Sequence, residues 1–369
     1  MDFTIEKETL LSALTTLSKI NPTRTTLPIL STVLLKTTSS DSVTLRSTDL
    51  EVEMEIKAGA KVLEQGETCA PIYKLLEITN TITETTVSIN VNETQRMRIK
   101  TSTGKYLLMC NKTEEFPDTR EFGEKVANIE GQFLYNTIKN TIYACSKDEL
   151  KPMLNGVLLE VKQNTITAVS TDGHRLVKFV VKQTNEETCK VLIPQKFLNT
   201  IATGTINTKK ATLEIHQDYA LIKTAKQKLS TRLITEKFPD YENVIPTENP
   251  QTTTVKTQDL LNVVKRVSLM SNKTTKQTIL SFSTKGVMLS AQDIETSTSA
   301  KEHLDCVFTG DEITTSYNAK YLIEVVQHLG GKETNIYLNS ALTAAVFQTK
   351  ENKEKEKTTS LLMPIRINQ

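Results

Sequence analysis

The segment Thr171-Asp172-Gly173-His174-Arg175 is the strongest candidate for chemistry in this sequence, because it places an acid two residues before a histidine. An acid and a histidine within reach of each other can act as a proton-transfer pair. The other histidines are His216, His303 and His328, and none belongs to an H-x-x-x-H or H-E-x-x-H pattern that would hold a metal. No G-x-S-x-G elbow supplies a nucleophile. An enzyme is therefore the weaker interpretation, and the sequence predicts neither a metal nor a cofactor.

An aspartate ends the same kind of polar segment three times, and only one copy has a histidine after it. The segments are Ser47-Thr48-Asp49, Ser170-Thr171-Asp172 and Ala291-Gln292-Asp293. An aspartate in a turn accepts hydrogen bonds from the backbone that follows it. We therefore predict that each of these aspartates shapes a turn.

A lysine stands at the same point of three predicted helices. The segments are Lys74-Leu75-Leu76, Lys196-Phe197-Leu198 and Lys320-Tyr321-Leu322. A single lysine on a helix is usually a solvated charge, but three at equivalent points can form one wall that faces a polyanion. Such a wall would hold phosphates without reading the bases between them.

These features are parts of an internal repeat, since both series recur about 123 residues apart, close to one third of the chain. A proline with apolar flanks recurs at a similar interval, in Phe116-Pro117-Asp118, Phe238-Pro239-Asp240 and Met363-Pro364-Ile365. Self-similarity of this kind indicates one structural unit written three times. We expect three domains, at residues 1–124, 125–247 and 248–369.

Each predicted domain opens with an amphipathic helix. Apolar residues recur three or four positions apart in all three helices. They are Leu10, Leu14 and Leu17, then Leu134, Ile138 and Ile142, then Leu261, Val264 and Val267. These stripes are predicted to face the core of each domain.

Strands and a second helix follow in each domain. Strand signals lie at Ile29 to Lys36, Gly156 to Val161 and Thr278 to Ser283. Pro71 and Pro194 mark the start of the second helix in two domains, and Asn318 offers a capping side chain in the third. Threonine-rich strands suit antiparallel sheet with one face in water. The predicted fold class is α+β, with two helices and about seven or eight strands in each domain.

Composition excludes several classes of protein. The 369 residues include 45 Lys and Arg against 43 Asp and Glu, so a formal charge of +2 gives no global attraction to nucleic acid. No apolar run approaches the roughly 20 residues of a membrane span, and the start of the chain lacks the pattern of a secretory signal. We expect a cytoplasmic protein without membrane contact. Five scattered cysteines predict reduced, individually buried thiols.

Six ordered segments resemble one known family over essentially the whole chain. They are Thr26 to Leu30, Ser47 to Met54, Leu154 to Gly156, Ser170 to Leu176, Phe238 to Tyr241 and Leu362 to Arg366. With these segments and the threefold repeat, the sequence is similar to the bacterial DNA polymerase III beta subunit, the sliding clamp. The resemblance implies the DNA clamp fold, in which two three-domain chains join head to tail as a ring around duplex DNA.

A ring keeps its DNA by topology and so does not need strong contacts. Phosphate contacts tight enough to hold a protein on DNA also resist motion, whereas a closed ring can slide on weak, water-bridged contacts. The resemblance, extended by the repeat to the last helix, implies DNA contacts at Arg24, Lys74, Lys196 and Lys320. It also places Lys151 and Met153 in a loop at the edge of the DNA, where relatives often carry an arginine and aromatic residues.

The resemblance further implies a hydrophobic cleft between the second and third domains, which receives an extended peptide from partner proteins. Apolar walls and a few polar groups orient a ligand in such a cleft. The matching residues are Leu154, Thr171, Gly173, His174, Arg175, Leu176, Pro239, Val244, Asn318, Tyr321, Leu342, Leu361, Met363, Pro364 and Arg366. His174 thereby acquires a binding role. The additional Asn368 and Gln369, beyond the family's usual end, are placed to alter the rim of the cleft.

Ring closure in this family joins the first domain of one chain to the third domain of the other. The matching positions are Tyr106 and Leu108, facing Leu269 and Met270. Pairing of strand edges there would remove edges that invite aggregation. The segment Glu295 to Lys301 carries few acids, so we expect weak ion pairing across this contact.

The predicted function is that of a DNA polymerase processivity factor, which is not an enzyme. Its expected partners are double-stranded DNA without sequence specificity, a second copy of the chain, the replicative polymerase, the clamp loader and other proteins with clamp-binding motifs. The alternative is a DNA- or peptide-binding module that forms no ring. The repeat favours the ring, because pseudo-symmetry about an axis suits a ring and is not needed by a single active site.

Overall fold

The structure is a computed structural model that describes residues 1–22, 24–351 and 355–367. The chain forms two compact units, one from Met1–Tyr135 with Lys196–Leu233 and one from Asn136–Gln195 with Ile234–Gln369. One order of elements occurs three times: a strand, a helix, four or five strands, a second helix and three strands. The predicted α+β fold of three repeats is confirmed. The boundaries at residues 124 and 247 stay predictions, since both units take in part of the middle repeat.

The first repeat has eight strands and two helices. The strands are β1 (Asp2–Glu6), β2 (Thr32–Thr37), β3 (Ser42–Thr48), β4 (Val52–Glu64), β5 (Gly66–Pro71), β6 (Thr86–Val91), β7 (Arg96–Lys100) and β8 (Lys105–Met109). Helix α1 spans Lys7–Ser18 and helix α2 spans Ile72–Thr81.

The second repeat has the same number of elements. Its strands are β9 (Lys125–Glu130), β10 (Gly156–Lys162), β11 (Thr165–Thr171), β12 (Arg175–Lys182), β13 (Cys189–Pro194), β14 (Thr212–His216), β15 (Tyr219–Lys223) and β16 (Gln227–Arg232). Helix α3 spans Gly131–Thr141 and helix α4 spans Gln195–Ala202.

The third repeat has nine strands, one more than predicted, because the short β21 is added. The strands are β17 (Gln251–Lys256), β18 (Gln277–Ser283), β19 (Gly286–Asp293), β20 (Thr298–Leu304), β21 (Val307–Thr309), β22 (Ile313–Asn318), β23 (Glu333–Leu338), β24 (Ala345–Thr349) and β25 (Glu356–Leu362). Helix α5 spans Thr257–Ser268 and helix α6 spans Ala319–Leu329.

Antiparallel pairing continues from one repeat into the next. In the first unit β4 pairs with β3 of its own repeat and with β16 of the second repeat. In the second unit β12 pairs with β11 of its own repeat and with β25 of the third repeat. The nine-stranded sheet of the second unit runs β13-β10-β11-β12-β25-β24-β23-β17-β21, and a four-stranded sheet runs β20-β19-β18-β22.

The predicted helix stripes form the cores. Leu10, Leu14 and Leu17 are buried in α1, and the corresponding residues of α5 are buried as well. Burying each such side chain contributes about 1.5–3 kcal/mol. In α3 the prediction was wrong at its end, since Ile142 lies in a 3-10 turn after the helix and is partly exposed.

Prolines lie at three of the predicted boundaries, and each element begins after its predicted start. Ile29 lies in the 3-10 turn Pro28–Ser31 rather than in a strand, because the fixed φ of proline and its missing N–H favour a turn at that point. Pro71 and Pro194 are the last residues of β5 and β13, directly before their helices. The Asn318 side chain caps α6 as predicted.

The cysteines confirm part of the prediction. All five are free thiols, and Cys69, Cys110 and Cys145 are buried, but Cys189 and Cys306 are partly exposed. Burial raises the pKa of the Cys145 thiol to about 12, which keeps it protonated. Within the part of the chain that the structure describes, no helix has the length and apolar character needed to cross a membrane.

Candidate functional site

The turn between β11 and β12 is held together by its aspartate. Asp172 Oδ1 accepts hydrogen bonds from the backbone N–H groups of His174 at 2.9 Å and Arg175 at 3.0 Å. The equivalent Asp49 accepts from the residues two and three positions further on, at 3.0 and 2.8 Å. Asp293 accepts from the residue two positions on, at 3.1 Å. The predicted role of these aspartates as turn formers is confirmed.

Arg175 is buried, and its guanidinium group is surrounded by partners. Its Nε donates to Asp172 Oδ2 at 3.1 Å, and one Nη donates to the backbone oxygen of Tyr143 at 2.6 Å. The other Nη forms an ion pair with Glu324 on α6. The guanidinium carbon also lies 5.2 Å from the ring centroid of Tyr143 and 4.6 Å from that of Tyr321. A buried cation is tolerated only with such compensation. Arg175 therefore has a structural role, because it links the Asp172 turn, Tyr143 and α6.

The Tyr321 ring contacts the Arg175 guanidinium group and also stacks with the His174 ring. Their ring planes are 19° from parallel, with centroids 5.9 Å apart. Burial raises the pKa of Tyr321, so its hydroxyl stays protonated at neutral pH. Asn318 Oδ1 accepts hydrogen bonds from the backbone N–H groups of Lys320 and Tyr321, which fixes the first turn of α6.

The two strands β12 and β25 bring the chain's last segment to the turn. Leu176 lies opposite Leu361 in this antiparallel pair. One step beyond β25, the Met363 N–H donates to the backbone oxygen of His174 at 2.8 Å. The predicted residues His174 and Leu176 of the second repeat are therefore neighbours of Leu361 and Met363 of the third. Asn368 and Gln369 lie outside the described residues.

The fifteen residues predicted for the cleft differ in exposure. The buried members are Leu154, Thr171, Arg175, Leu176 and Leu361. The partly buried members are Asn318, Tyr321 and Pro364, and the exposed members are Gly173, His174, Pro239, Val244, Leu342, Met363 and Arg366. Among the exposed apolar side chains, Val244 is 50%, Leu342 68% and Met363 42% accessible. The apolar surface open to a partner is thus supplied by these three residues.

Sequence reasoning missed two residues of this site. Tyr143 follows α3 and Glu324 lies on α6, and both contact Arg175. No local pattern marks either of them. The only available signal was the expectation that an arginine in a buried strand needs a carboxylate partner.

Lys196, predicted to contact DNA, lies between two carboxylates. Its Nζ is 2.7 Å from Asp49 Oδ2 and 2.7 Å from Glu51 Oε2. Burial alone lowers the pKa of Lys196, but the two acids outweigh this and raise it. Its charge is therefore permanent at neutral pH and largely neutralised by its neighbours.

The other basic residues predicted for DNA are more exposed. Lys74 Nζ lies 2.9 Å from Glu77 on the surface of α2. Lys320 is exposed, and within the ranges that the structure covers it has no carboxylate within 4 Å. Arg24 is also exposed. The three equivalent lysines thus lie in three different electrostatic environments.

Lys151 and Met153 lie in and beside a 3-10 turn, Pro152–Leu154, between α3 and β10. Lys151 Nζ lies 3.8 Å from Asp148 Oδ2, and both side chains are largely exposed. Met153 is partly buried. Lys151 is the more exposed of the two residues, and the role of both in DNA contact stays a prediction.

Strands β8 and β20 are two of the strands that lie at the edge of a sheet. Among the described residues β8 pairs only with β7, and β20 pairs only with β19. On β8, Tyr106 is exposed and Leu108 is partly buried, whereas Leu107 and Met109, which were not predicted, are 68% and 63% accessible. Alternation along the strand puts Leu107 and Met109 on one face. These two residues therefore supply the exposed apolar face of β8.

Leu269 and Met270 follow the end of α5, and both are exposed. Large exposed apolar side chains that cluster often mark an interaction site. No group of His, Cys, Asp or Glu in the described ranges is arranged to hold a metal ion.

Three family models match consecutive parts of the chain. The model described as DNA polymerase III beta subunit, N-terminal domain, matches residues 1–120. The central-domain model of the same subunit matches residues 128–240, and the C-terminal-domain model matches residues 242–366.

Curated relatives and solved structures agree with these matches. The "Beta sliding clamp" of Pseudomonas putida is 28% identical over 376 residues, covering 100% of both chains. The crystal structure of the DNA polymerase III subunit beta from Pseudomonas aeruginosa has a TM-score of 0.92 at 26% identity, covering 99% of this chain and 100% of that one. The sliding clamp of Bacillus subtilis has the same fold, with a TM-score of 0.92 at 22% identity and full coverage of both chains. By these matches the chain belongs to the family of DNA polymerase III beta subunits.

Proposed function

We propose that this chain is a DNA polymerase processivity factor, a sliding clamp that encircles duplex DNA as a homodimer and tethers the polymerase through a peptide-binding cleft. The observation that carries the proposal is the pairing of strands between successive repeats. Membership of the beta-subunit family supports it independently.

The pairing follows one rule. The third of the strands between the two helices of a repeat pairs with the last strand of the next repeat, as β4 with β16 and β12 with β25. By this rule β20 of the third repeat and β8 of the first repeat each lack a partner. A second copy placed head to tail supplies both missing partners, and the same contact repeated by the twofold symmetry closes a ring of six repeats.

An ion pair accompanies the first of these two pairings but not the second, where Lys320, the repeat equivalent of Lys196, has no carboxylate within 4 Å among the described residues. Where β4 meets β16, Lys196 binds Asp49 and Glu51. The repeat equivalents at ring closure are Lys74 of one subunit and the Asp293 turn of the other. We propose that ring closure resembles the first pairing, with an ion pair there in addition to the apolar contact of Tyr106, Leu107, Leu108 and Met109 with Leu269 and Met270.

DNA would be held by enclosure, with weak contacts to phosphates. A formal charge of +2 is sufficient for this, because affinity is not what prevents dissociation. The proposed contacts are Arg24, Lys74, Lys151, Met153, Lys196 and Lys320. We expect Lys196 to contribute least, since Asp49 and Glu51 already neutralise it.

The cleft supports the tethering part of the proposal. Met363, whose N–H donates to the backbone oxygen of His174, presents apolar surface beside it, and Val244 and Leu342 are further exposed apolar residues of the predicted set. A few polar groups beside an apolar wall suit an extended peptide with an apolar anchor. The partners would be the replicative polymerase, the clamp loader and other proteins with a clamp-binding motif, in the cytoplasm, and the protein itself would perform no catalysis.

Retention on circular and linear DNA tests the ring. After loading by the cognate ATP-driven loader, we expect the protein to stay on nicked circular DNA at high salt and to leave the same DNA once it is cut. Equal loss from both forms would show binding by affinity and would favour the non-ring module. Sedimentation should give a dimer, and Leu269→Ala with Met270→Ala should shift it towards monomer.

Peptide binding tests the cleft separately. Removing residues 363–369 should abolish binding of a polymerase-derived peptide and leave the dimer intact, because β8 and β20 are untouched. Unchanged peptide affinity in this variant would exclude the proposed cleft.

A further inference from the structure

A groove of about 600 Å³ lies on one face of the nine-stranded sheet, beside the segment that leads into β17. Its floor is formed by residues of β12, β25, β24 and β23, and Ile245 to Asn249 form one wall. We call it the linker groove. It lies outside the residues predicted for the cleft.

The floor and wall of the linker groove are partly apolar. Val180, Val346 and Tyr337 lie on the floor, and Ile245 and Pro246 lie on the wall. Register places Val346 opposite Tyr337 on neighbouring strands, so their side chains share a face. This apolar surface suits the side chains of an extended polypeptide.

Lysines surround this apolar floor. Lys178 and Lys357 line the linker groove itself. Lys182 follows Val180 by two positions on β12, and therefore projects from the same face. Register also places Lys162 of β10 in line with Lys182 across β11. One face of four adjacent strands thus carries a row of positive charge.

Glu160 and Glu242, the acids beside these lysines, already have partners, while Glu248 in the wall segment is exposed. Glu160 accepts a hydrogen bond from the Tyr241 hydroxyl at 2.8 Å and pairs with Lys190 at 2.7 Å. Glu242 pairs with Lys178 at 3.4 Å. In the part of the chain that the structure covers, Lys162, Lys182 and Lys357 have no carboxylate within 4 Å. The surface therefore has unbalanced positive charge.

The linker groove continues the face that carries the cleft. Leu176, Lys178 and Val180 alternate along β12 on one face, with Leu176 in the predicted cleft and Val180 in the linker groove. Val244, exposed at the cleft, is followed directly by Ile245 in the wall of the linker groove. A peptide that leaves the cleft past Val244 enters the linker groove.

We propose that the linker groove binds acidic residues that flank the segment by which a partner protein occupies the cleft. The inference rests on the proposed tethering function and adds the chemistry of the partner outside its apolar anchor. Charge of this kind raises the association rate and the selectivity for partners more than it raises affinity. It makes clamp binding depend on salt even though the anchor is apolar.

Peptides of matched length test this inference. The probes are fluorescein-labelled peptides carrying the clamp-binding segment of the cognate replicative polymerase, extended at either end by three glutamates or by three glutamines. At about 50 mM NaCl we expect the better glutamate peptide to bind about threefold to tenfold tighter than its glutamine counterpart. Lys182→Gln with Lys357→Gln should remove this advantage and leave the affinity of the glutamine peptide unchanged.

The control variant is Lys285→Gln with Lys332→Gln, which lowers the net charge equally with exposed lysines outside the linker groove. It should keep the glutamate advantage. Equal binding of both peptides to the wild-type protein overturns the inference while leaving the cleft in place. Loss of the advantage in the control variant overturns it as well, because the effect would then be one of net charge alone.

Failure of the cleft itself gives a different result. If neither peptide binds at micromolar concentration, the proposed cleft is wrong. The linker groove can then be tested with the glutamate tail alone near about 1 mM, by comparing its binding to the wild-type protein and to Lys182→Gln with Lys357→Gln. A tail that does not bind, or that binds this variant equally well, overturns the inference. A single-stranded oligo(dT) that binds the lysines of the linker groove more tightly than the acidic tail would assign the surface to nucleic acid instead.

Discussion

The two junctions between repeats have the same strand pairing and differ in the linker side chains that pack over it. The first junction is the β4–β16 pair and the second is the β12–β25 pair. At the first junction Phe122 packs edge-on against Tyr219, with ring centroids 5.9 Å apart. Arg120 lies over the same ring and donates to the backbone oxygen of Leu50 at 2.7 Å. The chain's own linker thus closes the first junction.

The second junction is left open. Counted from the shared Phe-Pro-Asp motif, Glu242 stands where Arg120 stands, and Val244 stands where Phe122 stands. Glu242 turns to Lys178, and Val244 remains half exposed. Two side-chain differences in the linker therefore accompany a covered first junction and a second junction whose apolar side chain stays exposed, and they arise where the copies of the repeat diverge.

The largest expected effect comes from replacing Arg175, the buried cation of the second junction. Arg175→Met keeps an apolar stem and removes the charge, leaving Asp172 and Glu324 without their partner. We expect a loss of about 3–5 kcal/mol in the free energy of unfolding, because a buried ion is left uncompensated. Urea unfolding of the full chain measures it.

Arg266 provides the matched control. It also pairs with a glutamate, Glu302, but its side chain is largely exposed. Arg266→Met should therefore change the free energy of unfolding by less than about 1 kcal/mol. Equal effects of the two substitutions would mean that Arg175 does not support the second junction.

Giving the second junction the linker residues of the first should cover its exposed apolar surface. Glu242→Arg with Val244→Phe gives it the linker residues of the first, and we expect polymerase-peptide affinity to fall about tenfold or more as the aromatic ring takes the place of the apolar anchor. Val244→Ile is the control and should stay within about twofold. Full affinity in the double variant would show that the linker is not what keeps the first junction closed. Fluorescence anisotropy measures all three.

Lys196 and Lys320 distinguish the junctions by their charges. Lys196→Ala should lower the free energy of unfolding by about 1 kcal/mol, since two partly screened ion pairs are lost, whereas Lys320→Ala should have almost no effect. DNA binding should show the reverse order, with the larger decrease in salt dependence for Lys320→Ala. A larger DNA effect for Lys196→Ala would contradict the neutralised state that the structure gives it.

The pH dependence of this contribution has a defined sign. The folded state raises the pKa of Lys196 above its ordinary value of 10.5, so its stabilisation is complete below that value and is lost as the pH rises through the raised pKa. The difference in unfolding free energy between wild type and Lys196→Ala should therefore be constant from about pH 6 to 9. A difference that vanished within this range would exclude the ion pair as its cause.

Sequence predicted the architecture better than the site, for a physical reason. Stripes such as Leu10, Leu14 and Leu17 and turns such as that of Asp172 are local signals, and repetition strengthens them. The surroundings of Arg175 depend on Tyr143, which reaches it through the fold of the second repeat, and on Glu324, which comes from the third repeat. Lys196 and Lys320 occupy equivalent positions in the repeat, but only Lys196 lies next to carboxylates. The sequence pattern does not reveal this difference.

The smallest predicted difference concerns the turns themselves. Leu50 and Gly173 occupy the same place, and both have left-handed backbone, with φ of 78° and 88°. Leu50→Gly should therefore stabilise the first junction by about 0.5–1 kcal/mol, and Gly173→Ala should destabilise the second by a similar amount. No atom lies within 4 Å of a Cβ added at Gly173, so the strain there is conformational rather than steric.

Leu50→Ala separates the backbone from the side chain. Leu50 is exposed, and alanine keeps the strained φ while removing most of the exposed apolar surface. We expect no gain in melting temperature for Leu50→Ala and an increase for Leu50→Gly. An equal increase in both would assign the effect to the exposed leucine side chain, and the turn geometry shared by the two junctions would then carry no strain at the first.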